Sequence, residues 1–383
     1  MNPQVQYHYE ELRRRLGAEG DLEDNLSVLR TYKREVARRI EADLVSGREP
    51  LERAMAALTH LADATLIATY DLAREELSHQ YGLPRCKDND GNFTTSEFAI
   101  IGMGKLGGLE LHLNSDLDLI FVYSRNGETQ GRKPISNREY FAKLAQRIIS
   151  YLSLVTRDGF AYKVDTELRP SGNAGTLVTS LDAWITYYHE HAAEWERQAL
   201  LKARLIFAGP GFAKDFHGLF RRLVFLKPFP ENLAEEVHRL RMRIEKELAK
   251  EGERRLHYKK GYGGLVDIEF AVQYLQLKLG KVFDTILSPN TQEALGRLEQ
   301  RGILPKADAE ALRSAYVFYR MLEIYLEAEF DLKEGYLDPG HECMAELAVR
   351  MSFASPEELL RAFSEHRRRV REIYLKTLKI QES

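Results

Sequence analysis

The sequence predicts an α+β protein that is mostly helical. A small mixed sheet with its own helices is flanked by an N-terminal helical segment and a C-terminal helical bundle. Three observations lead there. Two apolar runs, 98–101 and 114–123, bracket a turn dense in glycine. A third stretch, 160–170, alternates apolar and polar residues, as a half-buried strand does. Long segments on both sides repeat their apolar residues at helical spacing. The expected boundaries are 1–92, 93–208 and 209–383.

Residues 6–82 read as helix. Leu26, Leu29, Tyr32, Val36 and Ile40 fall at helical intervals, and Pro50 marks a break. The stretch 51–81 is rich in alanine and leucine, with Ala54, Leu58, Leu61, Ala62 and Leu72 on one stripe. Thr65 and Thr69 share that side. Gly82 and Pro84 stop the helix, and 87–92 is a polar loop. After the two apolar runs, 136–156 reads as a helix capped by Ser136 or Asn137, with Phe141, Leu144, Ile148, Tyr151, Leu152 and Val155 inward. In 160–170, Phe160, Tyr162 and Val164 share one face; Lys163, Asp165, Glu167 and Arg169 share the other. A short strand is expected at 177–179. From Leu181 onward only helices are expected: 182–191, 194–206, 216–225, 231–250, 265–279, 290–300, 306–330 and 356–378.

At 383 residues the chain has room for sizeable cores. A formal net charge of −3 gives no electrostatic case for nucleic acid or an anionic membrane. Two cysteines, Cys86 and Cys343, make neither a disulfide framework nor a zinc spacing, which points to a reducing compartment. The polar N-terminal stretch has no signal-like apolar core, and no apolar run approaches the ~20 residues that span a bilayer. The expectation is a cytoplasmic protein.

The chemistry concentrates in 96–124. Gly102, Gly104, Gly107 and Gly108 surround Lys105; Asp116 and Asp118 then open the second strand. Side chains two apart on a strand share a face. Adjacent carboxylates repel unless a cation sits between them, and a divalent metal with oxygen ligands is the usual solution. Glycines let backbone N–H groups approach a phosphate. Together these features describe a site for a nucleoside triphosphate with Mg²⁺. Asp116 and Asp118 are the expected metal ligands, and Asp165 is the third, also able to draw a proton from the acceptor hydroxyl. Glu167, on the same expected face, is the alternative third ligand. Lys105 either meets the triphosphate or is a solvated loop lysine; Ser115 either caps the turn or meets phosphate.

This pattern resembles the nucleotidyltransferase superfamily, a polymerase-beta-like fold with a glycine turn followed by Asp-x-Asp on a strand. Gly102-Met103-Gly104-Lys105-Leu106-Gly107-Gly108 with Ser115-Asp116-Leu117-Asp118-Leu119-Ile120-Phe121 is more closely similar to the glutamine synthetase adenylyltransferase family. The resemblance continues through the block from Val164 to Ser180, through Trp195-Glu196-x-Gln198-Ala199-Leu200-x-Lys202-Ala203-Arg204, and through Gly263-Gly264-Leu265-Val266-Asp267-Ile268-Glu269-Phe270. It implies Mg²⁺ at Asp116, Asp118 and Asp165, and ATP as substrate. Triphosphate contacts are implied at Gly104, Lys105, Gly107, Gly108, Ser115, Arg169, Lys202 and Arg204. The implied partners are glutamine synthetase and a PII signalling protein. The implied reaction is AMP transfer to a tyrosine hydroxyl of glutamine synthetase, with phosphorolytic removal of that AMP as the alternative. An unrelated acceptor and a nucleotide-binding module without turnover are the other readings. The position of Glu167 is usually arginine in the family. Family enzymes carry two catalytic halves; one is present here, with wording closer to the C-terminal, AMP-attaching half. On a helix, Asp267 and Glu269 lie about 200° apart, so they cannot both face one site.

Overall fold

The computed structural model describes residues 1–16, 21–88 and 90–381; residues 17–20 of the expected helical stretch and Asn89 of the expected loop lie outside them. The chain forms two compact units, Met1–Leu226 and Lys227–Ser383.

The first unit opens with three helices: α1 (Pro3–Arg15), α2 (Leu22–Val45) and α3 (Leu51–Tyr81). The α1 and α2 N-termini are capped by Asn2 and Asp21, whose side chains accept from Gln4 N and Asp24 N. Along α3, Ala54, Leu58, Leu61 and Ala62 are buried as the spacing predicts. Thr65 and Thr69 are buried too. Their hydroxyls donate to the carbonyls of Leu61 and Thr65 one turn earlier, so the helix satisfies them itself.

The polar loop expected at 87–92 joins a hairpin, β1 (Pro84–Lys87) to β2 (Phe93–Thr95). Asp88 Oδ1 accepts from Asp90 N and Asn92 N and so shapes the turn. Next come β3 (Phe98–Gly102), the one-turn helix α4 (Gly104–Gly107), β4 (Leu117–Tyr123) and the short β5 (Glu128–Thr129). Helix α5 (Asn137–Ser153) is capped by Ser136, which accepts from Glu139 N. It ends before Val155, which is 71% exposed rather than part of the apolar face.

The strand expected over 160–170 shrinks to β6 (Val164–Asp165). Then follow β7 (Val178–Ser180), α6 (Leu181–Glu190) and α7 (Glu194–Ala199). The expectation of only helices after Leu181 fails at β8 (Arg204–Ala208), whose apolar run pairs antiparallel with β3. Helix α8 (Leu219–Val224) closes the unit.

The main sheet runs β6-β4-β3-β8, with β7 also paired to β4; β2-β1-β5 form a separate three-stranded sheet. The residues Leu117, Leu119, Phe121 and Tyr123 of β4 enter one core with α3 and α5. Phe98 anchors it, with ring centroids 5.9 Å from Tyr70, 5.6 Å from Phe121 and 5.5 Å from Phe141. Burying a side chain of that size contributes about 1.5–3 kcal/mol. Strand alternation then turns Asp118 to the opposite face, away from that core.

The second unit is helical: α9 (Leu233–Ile244), α10 (Leu265–Leu279), α11 (Thr291–Gln300), α12 (Lys306–Ala328), α13 (Met344–Arg350) and α14 (Pro356–Leu378). The helix expected over 231–250 is interrupted by a π-helical turn, Glu245–Ala249, and the short α13 has no counterpart among the expected helices. Charged side chains tie elements together: Asp308 of α12 accepts from Arg369 (2.8 Å) and Lys376 (2.7 Å) of α14. Among the described residues, no helix is long and apolar enough to cross a membrane.

Candidate active site

The glycine turn is built by contacts that leave no room for side chains. Met103 N donates to Asp118 O at 2.9 Å, tying the start of the turn to β4. Gly107 N and Gly108 N then donate to the Met103 and Gly104 carbonyls, closing the single turn of α4. Gly104 has φ +52°, and a Cβ there would run into the Asp118 carboxylate. A Cβ on Gly107 would strike the Lys202 carbonyl. Ser115 Oγ accepts from His112 N at 3.0 Å while Ser115 N donates to His112 O, so Ser115 shapes the bend before β4.

The structure brings Asp118 and Asp165 together. Strands β4 and β6 are parallel, with Leu117 opposite Val164 and Asp118 opposite Asp165. Leu117 N donates to Lys163 O at 2.9 Å and fixes that register. Burial, and then the charge of Asp165, push the Asp118 carboxyl up to about 7; Lys105 pulls it down and Asp116 adds to the rise. Asp116 precedes the strand and is exposed. Strand register thus pairs Asp118 with Asp165, while Asp116, outside the strand, acts on Asp118 through its charge. A raised Asp118 beside Asp165, with a third acid in electrostatic reach, matches the hard oxygen donor set of a divalent cation.

Glu167 lies beyond β6, which ends at Asp165, so the strand alternation expected to align the two acids does not extend to it. Its backbone N–H donates to Asp165 Oδ1 at 2.7 Å, and its own carboxylate accepts from Asn173 Nδ2 at 2.9 Å. Arg169 donates through Nη1 to the carbonyl and hydroxyl of Thr166, both at 2.7 Å. Its buried Nε has no hydrogen-bond partner among the described residues.

Arg204 lies beside the turn because β8 pairs with β3, with Arg204 opposite Gly102, and Lys202, in the 3-10 turn just before β8, has its carbonyl against Gly107. Lys202 Nζ meets Glu110 at 2.5 Å, and both side chains are buried. Arg204 pairs with Asp63 of α3 (2.7 and 3.0 Å) and donates to the carbonyls of Leu106 (2.9 Å) and Gly107 (3.3 Å). Sequence reasoning missed Asp63 and Glu110. The available signal was an acid inside the apolar stripe of α3, between Ala62 and Ala64.

In the second unit, Asp267 is fully buried near the N-terminus of α10. It accepts from Arg241 Nε, from Arg371 Nε (2.8 Å) and from Gly263 N (3.0 Å). Burial disfavours its charge, and the two guanidinium groups oppose that effect.

Residues 2–218 match the glutamate-ammonia ligase adenylyltransferase family. The chain belongs to this family. Within the family, it is 38% identical over 306 residues to the bifunctional glutamine synthetase adenylyltransferase/adenylyl-removing enzyme of Thioalkalivibrio sulfidiphilus (strain HL-EbGR7), covering 79% of this chain and 31% of that protein. It is 34% identical over 335 residues to the protein of the same name from Shewanella woodyi (strain ATCC 51908 / MS32), covering 87% of this chain and 34% of that protein. The chain thus spans about a third of the length of the curated relatives it matches. Residues 233–378 match a second family, GlnD PII-uridylyltransferase.

Proposed function

We propose that this chain transfers AMP from ATP to a tyrosine hydroxyl of glutamine synthetase, releasing pyrophosphate, in the cytoplasm. The observation that carries the reading is the parallel pairing of β4 with β6, which sets Asp118 beside Asp165 under the glycine turn. The names of its relatives supply the acceptor. A PII signalling protein is the partner that the family resemblance adds.

In this reading Asp118 and Asp165 would hold Mg²⁺, with Asp116 as a further ligand. Divalent cations bound there would supply the charge neutralisation that attack on a triphosphate needs. The tyrosine oxygen forms a bond to the α-phosphorus, and the bond from that phosphorus to the pyrophosphate oxygen breaks. Asp165 draws the tyrosine proton. Lys105 places positive charge at the turn, and Gly104 keeps the backbone close to the acid pair. Lys202 and Arg204 hold the turn through Glu110 and Asp63.

The test is incubation with ATP, Mg²⁺ and unmodified glutamine synthetase, reading the target's intact mass for an added AMP. No added AMP, with no pyrophosphate released, overturns the proposal. A second reading, phosphorolytic removal of AMP, is favoured by the adenylyl-removing activity that both relatives carry in their names. Adenylylated target with phosphate, assayed in parallel, separates the two. Metal-dependent pyrophosphate release excludes a binding module without turnover.

A further inference from the structure

Within the turn that would grip nucleotide, Met103 and Leu106 are buried and Lys105 is the one charged side chain, so the turn's geometry depends on what its carbonyls meet. Two of them, on Leu106 and Gly107, accept from Arg204. That guanidinium is held in turn by the carboxylate of Asp63, which is 3% exposed and lies on α3, 141 residues away in the chain. The fork is complete. Nη1 bonds Asp63 Oδ2, Nη2 bonds both Asp63 Oδ1 and the Leu106 carbonyl, and Nε bonds the Gly107 carbonyl. Planar geometry of this kind transmits position; a lysine cannot reproduce it. A second link from the same helix supports the next segment, where Thr59 Oγ1 accepts from Leu111 N at 3.3 Å. The same hydroxyl donates to the Met55 carbonyl at 2.8 Å, so it is oriented by α3 itself.

We propose that Asp63 is a positioning residue for the glycine turn, acting through Arg204, so that helix α3 sets the geometry of the nucleotide grip. The inference deepens the functional reading above and rests on it for its effect on ATP. The mechanical part concerns the turn alone. The N-terminal helices are then part of the working site and more than a scaffold beside it. Asp63 touches no substrate in this scheme. Its carboxylate orients the guanidinium, and the guanidinium orients the two carbonyls on which the turn hangs.

The experiment compares the unsubstituted chain with Asp63→Asn and with Arg204→Lys. Amide hydrogen exchange across residues 103–109 is followed first, without nucleotide. Faster exchange at Gly107 and Gly108 in both variants is expected, with the rest of the main sheet unchanged. The ATP dependence of AMP transfer is followed second. Half-saturation is expected to rise roughly ten-fold while the saturating rate changes much less. The double variant should be no worse than either single one, because both break the same link. A purely structural acid would lower the thermal midpoint and leave both turn exchange and ATP half-saturation at their original values; that result overturns the proposal. If Asp63→Asn does not fold, Arg204→Lys, which keeps a cation against Asp63, decides it by the same two measurements. An unsubstituted chain that neither binds ATP nor transfers AMP sinks the functional reading, whereas unchanged exchange in the turn sinks the brace.

Discussion

Two aspartates from the sequence motifs, Asp118 and Asp267, sit in opposite electrostatic situations. Asp267 is enclosed by Arg241, Arg371 and the Gly263 N–H. Arg371 also pairs with Glu245, so each cation in that cluster has an acid and the aspartate has its donors. Asp118 faces another carboxylate across a strand pair, and its carboxyl is pushed up to about 7. A buried acid matched by cations holds a fold together, and removing it strands the partners. An acid placed against a second acid works against the fold until a cation arrives. Motif residues of one chemical type therefore divide into a candidate site and a strut, and their neighbours decide which.

Substitutions can break or sharpen that contrast. The largest effect is expected for Asp118→Asn, which should lower AMP transfer by roughly 10²–10³-fold or more. Its thermal midpoint should equal or exceed that of the parent chain, because a repulsive charge is gone. Mg²⁺ should raise the midpoint of the parent and not of this variant, by linkage. A lost fold in Asp118→Asn would put that acid in the same class as Asp267.

Next is Asp267→Ala, expected to destabilise the second unit by about 3–5 kcal/mol, since two buried guanidinium groups lose their acid. Denaturant unfolding followed within that unit measures it. A change below about 1 kcal/mol would show that Glu245 alone suffices for both arginines.

Gly104→Ala comes third. The positive φ and the neighbouring Asp118 carboxylate leave no space for a methyl group. The turn should shift, ATP half-saturation should rise roughly ten-fold, and the strain should cost about 1–3 kcal/mol of stability. The smallest effect is expected at Ser136→Ala, where loss of the α5 cap should cost about 1 kcal/mol and leave transfer untouched. Any effect on transfer there would mean that α5 moves the acid pair through the shared core.

Much of the fold that carries the candidate site was legible in the sequence. The strand, turn and strand from Phe98 to Tyr123 follow from apolar runs and glycine spacing, and both are local signals. The helical bundle was legible for the same reason, save α13, which is only seven residues long. What failed was equally local in origin. The run Leu205-Ile206-Phe207-Ala208 is too short for its period to separate helix from strand, and β3 settles the matter by pairing with it. Alternation through 160–170 suggested one long polar edge, but β4 offers β6 only two partners there. The chain then turns at Glu167, whose N–H bonds back to Asp165.

The sequence by itself determined which residues are the candidates for the chemistry: the glycines, Lys105 and the acids at 116, 118 and 165. Their identity and near spacing are properties of the chain. Only the tertiary structure decided which of them meet. Asp118 finds Asp165 through strand register, and Arg204 finds Asp63 across 141 residues. Pairings of that length are selected by packing of a whole unit, because burying a charge is tolerable only where the completed fold brings its partner alongside.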